Sequence, residues 1–296
     1  MHNNKEYAAK ILKKKLYEDN PEEIENDLRN ILRIAHQNIV NHIKIVEDNR
    51  QKKYLYIIMD LVTGGTLFDK LLKDITFTEK LAANIVKQVL EACDYLHSHG
   101  IIHSDLKPQN LLFKNNAEDS PILISGFGLA SVRDHVGKIE SLNAYRNILF
   151  ASPEIVSRKP YDNKVDIWSL GVITYAVLSG NLPFLSDIEY LLIDLISSGM
   201  VKFSSAIWRN ISNNAKVFIT TLLIKDPSLR PTAERAMRLT WMVDNSQVPI
   251  NVKENLKRSI TSLKRQKELN ANKVVQRFKV LEIDSKLMSS EEEDEG

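Results

Sequence analysis

His103-Ser104-Asp105-Leu106-Lys107-Pro108-Gln109-Asn110 puts a carboxylate, an ammonium and a primary amide into one short stretch. A carboxylate can take a proton from a hydroxyl, an ammonium can face an anion, and an amide oxygen is a neutral ligand that holds a hard cation weakly. Phosphoryl transfer asks a protein mainly for positioning and charge neutralisation, and groups of these types are its parts. In isolation His-x-Asp is a weak pattern. The whole ordered run, with Leu111-Leu112-Phe113 following it as a strand, is a strong one. Farther on, Ser125-Gly126-Phe127-Gly128 sets glycines on either side of an aromatic residue, and far upstream Tyr7-Ala8-Ala9 leads into Lys10.

These residues need elements to hold them. Glu6 to Leu12 is a short apolar strand candidate, Pro21 to Ala35 reads as a helix, and Tyr54 to Met59 reads as a buried strand. Thr63-Gly64-Gly65 then breaks the chain. From Thr78 helices dominate, the first with a Thr78 cap, an apolar face of Ile85, Val89, Cys93 and Leu96, and a Gly100 stop. The helical part is expected to end near Asp244. With 296 residues and 43% apolar content the chain can bury one large core or two smaller lobes, which excludes disorder for most of it. A single cysteine, Cys93, excludes an internal disulfide framework, and no apolar run approaches the roughly 20 residues of a membrane span. A net charge of +2 gives no general attraction to nucleic acid or membrane. The N-terminus has no signal-peptide apolar region, so a cytoplasmic protein is expected, with the nucleus left open.

The run from His103 to Asn110 closely resembles the catalytic loop H-R-D-L-x-x-x-N of protein kinases. The likeness continues through Ser152-Pro153-Glu154, Asp166-Ile167-Trp168-Ser169-Leu170-Gly171 and Asp226-Pro227-Ser228-Leu229-Arg230-Pro231, and covers about Glu6 to Val243. Tyr56 to Phe68 is similar to the hinge of calmodulin-dependent kinases, with Met59 at the gatekeeper position. The resemblance implies an α+β, two-lobed kinase fold: a partial small lobe over 1–62 and a mainly helical large lobe over 63–244. It implies Asp105 as the acceptor of a substrate hydroxyl proton, Lys107 as the cation facing the γ-phosphate and Asn110 as a magnesium ligand. ATP would lie against Ala8, Lys10, Met59, Asp60 and Val62, and Glu154, Asp166 and Arg230 would be structural, Glu154 pairing with Arg230.

Departures from the pattern fall on function. Gly126 stands where the family carries the magnesium-binding Asp of Asp-Phe-Gly. Asp27 stands where a helix Glu would pair with Lys10 and is one methylene shorter. Nine residues precede Lys10, so the two strands and Gly-rich loop that cover ATP in the family have no counterpart there. Ser104 replaces the arginine that reads an activating phosphate, Asn143 the threonine that carries it, and Thr66 a Glu that contacts substrate arginine in basophilic relatives. Arg146 to Phe150 replaces the run that shapes the peptide-docking site.

Val252 to Leu281 carries nine basic residues against two glutamates, a net of +7, with apolar stripes Leu256, Ile260, Leu263 and Val274, Phe278, Leu281. Leu269 to Val275 is similar to the regulatory segment of calmodulin-dependent kinase I, which implies a regulatory helix with anchors Leu269 and Phe278. Calmodulin or another acidic regulator is the implied partner; a solvated basic helix is the plain alternative. An acidic tail fills 282–296. The expected function is that of a catalytically impaired Ser/Thr kinase-like protein with a regulatory or docking role, with ATP a possible ligand, magnesium binding weakened, and Mg·ATP bound weakly or not at all. A slow active kinase acting on protein substrates and a truncated product without function are the alternatives.

Overall fold

The computed structural model describes residues 6–13, 21–47, 53–72, 77–127, 148–204, 206–243, 249–250 and 279–281. Four strands form the principal sheet: β1 (Tyr7–Lys13), β2 (His42–Glu47), β3 (Tyr54–Asp60) and a C-terminal β8 (Lys279–Leu281), in the order β2-β3-β1-β8. β1 and β3 are antiparallel in unbroken register from Tyr7 opposite Asp60 to Lys13 opposite Tyr54. β2 and β3 are also antiparallel, with one irregularity between His42 and Lys44. Helix α1 (Pro21–Leu32) packs on β2 and buries Leu28 and Ile31. The proline at its first position suits a place where an amide N–H would have no partner.

The remainder is mainly helical. After α2 (Leu67–Leu72) and the two-residue β4 (Phe77–Thr78), helix α3 (Glu79–Ser98) begins at Thr78, whose side chain accepts from Leu81 N–H at 3.1 Å. It buries the stripe Ile85, Val89, Cys93 and Leu96 and turns out through Gly100. A hairpin of β5 (Leu111–Phe113) and β6 (Ile122–Ile124) carries the catalytic-loop end, and the short α4 (Pro153–Val156) leads to α5 (Lys164–Ser179). α5 is apolar nearly all round and buried from Val165 to Ser179, so it is the axis of the large core. Around it lie α6 (Glu189–Ser198), α7 (Asn213–Leu222), α8 (Ala233–Met237) and α9 (Thr240–Val243). β7 (Pro249–Ile250) then returns to pair with β4.

Two polar devices fix this arrangement. Glu79, fully buried at the start of α3, accepts from Ser212 N–H at 2.7 Å, Ser212 Oγ at 2.7 Å and Trp241 Nε1 at 3.0 Å. It thereby ties α3, α7 and α9 together around a charge that would otherwise be costly to bury. Between the lobes, Ile124 N–H donates to Asn38 O at 2.8 Å and Val40 N–H to Ile124 O at 2.9 Å, so the chain entering β2 is stitched to β6. At the break after β3, a Cβ on Gly64 would fall 2.2 Å from the Asn115 carbonyl oxygen, so only glycine allows the two backbones to pass.

Lys279–Leu281 corrects one expectation. These last residues of the segment read as a helix over 252–281 are strand, antiparallel to β1. Residues 251–278, with the anchors Leu269 and Phe278, and the acidic tail lie outside the described residues.

Candidate functional site

The loop from His103 to Asn110 is shaped by a carboxylate outside it. Asp166, at the start of α5 and fully buried, accepts from His103 N–H at 2.9 Å and Ser104 N–H at 2.7 Å, and its Oδ2 lies 2.8 Å from His97 Nε2. Burial pushes this carboxyl up, but the hydrogen bond and charge of His97, with those of His103, outweigh it and hold the group below its ordinary value. The clamp holds Ser104 at φ +60, a left-handed conformation rare for a residue with a Cβ. From that turn Asp105 and Lys107 emerge side by side, Lys107 Nζ 2.7 Å from Asp105 Oδ2. Asn110 closes the loop, its Nδ2 donating to Asp105 O at 2.7 Å and reaching Asp105 Oδ2 at 3.3 Å. His103 completes it on the other side: Asp105 N–H donates to Nδ1 at 3.3 Å, which leaves Nε2–H to donate to Ser125 O at 3.1 Å. The residue before Gly126 is thus fixed to the same loop.

Lys10 comes to this loop from the sheet. Burial lowers its pKa to about 8 against the attraction of Asp105, and Lys107 lowers it further. Lys10 and Lys107 thus both act electrostatically on Asp105, a surplus of positive charge suited to an anion. Beside it, Met59 sits between Ala8 on β1 and His42 on β2 in the sheet registers. Asp60 is held by its N–H to Asn41 O at 3.0 Å and by Asn41 Nδ2 to its carboxylate at 3.3 Å. The chain then runs through Val62, which packs on the core from the edge of the site. Asp27 lies in α1, but its side chain is outside the described residues, as are Asn143 and Arg146.

A divalent cation is poorly served. Gly126, at φ +85, supplies no side-chain oxygen, and a Cβ there would stand 3.4 Å from the Asn110 amide, so the missing carboxylate would have pointed into this place. What remains is one neutral amide oxygen on Asn110 and an Asp105 carboxylate already paired with Lys107. Among the described residues no group of three or more His, Cys, Asp or Glu side chains could hold a metal ion. A magnesium ion is held by one or two carboxylates together with substrate phosphates, and here one amide oxygen and one lysine-paired carboxylate make a weak donor set.

Behind the site, Arg230 is fully buried and makes a two-pronged pair with Glu154, Nη1 to Oε1 at 2.7 Å and Nη2 to Oε2 at 3.2 Å. Its remaining N–H groups reach the carbonyls of Lys164, Ile224 and Lys225. The guanidinium also lies over the Trp168 ring. The family model for the protein kinase domain matches residues 1–242 of this chain. The chain belongs to the protein kinase family. Calcium/calmodulin-dependent protein kinase type 1 of Caenorhabditis briggsae is 36% identical over 281 residues, covering 94% of this chain and 77% of that protein. Its namesake from Caenorhabditis elegans is 36% identical over 283 residues, 94% of this chain and 80% of that one. Serine/threonine-protein kinase H1 of Homo sapiens is 40% identical over 255 residues, 86% of this chain and 59% of that one. This is a Ser/Thr kinase domain related to calmodulin-dependent kinase type 1, of a family that uses ATP and magnesium. No helix among its described residues is long and apolar enough to cross a membrane.

Two residues of the kinase domain have roles that the motifs do not reveal. Thr66 caps α2: its Oγ1 donates to Asp69 Oδ2 at 2.7 Å and accepts from Asp69 N–H at 3.0 Å. The spacing of Thr66 and Asp69 was the available signal. His42, 7% exposed at the head of β2, packs edge-on against Phe127 with ring centroids 5.1 Å apart, and its Nδ1 has no partner. A polar residue following the buried Ile39-Val40 was its only mark.

Burial, with a lesser contribution from Lys10, lowers the His42 pKa to about 4. The unfolded chain, near pH 6.5 for this group, binds a proton that the folded chain refuses between those limits, so stability falls as pH drops from 6.5 toward 4. Urea denaturation should show His42 costing the wild type about 2 kcal/mol between pH 7 and pH 5. His42→Leu should remove that part of the loss; an equal loss in both proteins would refute the assignment.

Proposed function

We propose that this kinase domain is a nucleotide-binding protein whose phosphoryl transfer is impaired, and that it acts as a regulatory or docking component. The observation that carries the reading is the mismatch at Gly126: Lys10 and Lys107, cations for an anionic ligand, both act on Asp105, while the side-chain carboxylate for a metal is missing. Lys10 and Lys107 would meet the phosphates, and the strand residues Ala8 and Met59, with Asp60 and Val62 after them, would border the base. Asp105 would take a hydroxyl proton. Removing one electrostatic partner of a developing charge commonly costs about 10²–10³ in rate, and a metal carboxylate is such a partner. A slow active kinase is the second reading; the intact mutual bonds of Asp105, Lys107 and Asn110 favour it.

The 252–281 segment adds a partner. Its net charge of +7 and its apolar stripes suit an acidic, Met-rich groove such as that of Ca²⁺-calmodulin, and the names of the relatives tie those proteins to calmodulin. Arg265 stands where the family places an N-terminal aromatic anchor, so micromolar affinity is expected. The kinase domain would then act through an acidic regulator on a protein substrate or docking partner.

Thermal shift separates the two catalytic readings. ATP should stabilise the protein equally with and without magnesium, by about 1.4 kcal/mol at ten times Kd. Gly126→Asp should make the shift larger with magnesium. A large shift by Mg·ATP at micromolar concentration, absent with ATP alone, would favour the active kinase instead. For the partner, isothermal titration of the full chain with Ca²⁺-calmodulin should give a micromolar Kd that weakens roughly tenfold or more in Phe278→Ala. No heat at tens of micromolar, or no effect of that substitution, would return the segment to a solvated basic helix.

A further inference from the structure

Of the ten exposed large apolar side chains among the described residues, six lie on α6 and the turns at its two ends: Leu185, Ile188, Tyr190, Leu191, Leu195 and Met200. The other four are each alone in sequence and need no explanation. α6 buries Leu192 and Ile196, while Leu191, Leu195 and the 65% exposed Tyr190 face outward. A surface helix ordinarily turns a polar face to water, so one that is apolar on both sides has a second face to cover. Ile188, Leu191 and Leu195 recur at i, i+3 and i+7, which makes them one stripe.

Charge is ordered along the same face. Residues 181–201 carry Asp187, Glu189 and Asp194, all exposed, and no cation. Positive charge stands at the opposite end, where exposed Lys202 follows Met200. Lys225, also exposed, is brought to that end from beyond α7: a Cβ on Gly199, the residue that ends α6, would stand 3.2 Å from the Lys225 Cβ. An acidic start, an apolar stripe and a basic end are complementary to the same surface turned end for end. They do not match a surface of uniform charge, such as an anionic membrane.

We propose that the outer face of α6 is a dimerisation surface that binds a second copy of this chain, with the two α6 helices antiparallel across a two-fold axis. Setting Leu191 of each copy against Leu195 of the other overlays the two stripes. One turn farther out, Asp187 comes level with Gly199 of the second copy, and Glu189 lies beside it, so the acidic start meets Lys225. Asp194 falls nearer Tyr190 of the second copy than to its own counterpart, which keeps the mid-helix carboxylates apart. The antiparallel arrangement also opposes the two helix dipoles. One helix face with its flanking turns is small for a specific interface, so the dimer is a concentration-dependent one in the micromolar range. Neither the nucleotide reading nor the calmodulin reading is needed for it.

Sedimentation velocity of the full chain at low salt, across a micromolar concentration series, should show a reversible monomer–dimer equilibrium. Leu191→Asp should weaken it at least about tenfold with the melting temperature unchanged, since the side chain is 40% exposed. Glu189→Lys and Lys225→Glu should each weaken the dimer about fivefold, and the chain carrying both substitutions should recover the wild-type affinity. That recovery is expected only where the two positions face each other across the interface. A chain that stays monomeric throughout the series would overturn the proposal. So would a dimer indifferent to Leu191→Asp, a double substitution no better than the single ones, or a dimer lost on deleting 252–296 but not on Leu191→Asp, which would place the interface in that segment.

Discussion

A carboxylate shut away from water organises the catalytic loop. Asp166 accepts two backbone N–H groups from consecutive residues of the loop and faces His97 with its other contact. An uncompensated charge in that position would cost several kcal/mol, so the loop and the helix that carries Asp166 must form together or not at all. The left-handed Ser104 is held by this clamp; such strain persists only where the surroundings over-determine it. Asp105, Lys107 and Asn110 inherit their mutual geometry from that one turn. His103 extends it to Ser125 and, through the aromatic contact with Phe127, to the base of the sheet.

Against that scaffold, the loss at Gly126 is local. The backbone there is still left-handed, and the direction in which a side chain would leave it still points at the Asn110 amide. Structural pairs away from Gly126, Glu154 with Arg230 and Glu79 with Ser212 and Trp241, are hydrogen-bonded.

Much of this was legible in the residues themselves. The order of motifs identified the fold, and periodicity located α3 with its Thr78 cap and its buried stripe, because a helix with one apolar face reads directly from spacing. Gly126 was visible as a missing carboxylate. His42 was not, since nothing in a strand pattern says that a histidine will be enclosed without a partner for Nδ1; that depends on Phe127, brought from far along the chain. Nor was β8. Short apolar runs are ambiguous between helix and strand, and Lys279–Leu281 is decided by the β1 edge, a tertiary feature no local pattern contains.

On this reading the site attracts a nucleotide's phosphates without supplying a place for its metal. Electron paramagnetic resonance of Mn²⁺, used as a stand-in for Mg²⁺, reads this through the signal of the free aqueous ion. With saturating wild-type protein and ATP, free Mn²⁺ should be the same as with ATP alone, and lower once Gly126→Asp restores a carboxylate beside Asn110. A wild-type protein that draws one further equivalent of Mn²⁺ out of solution in the presence of ATP would contradict it.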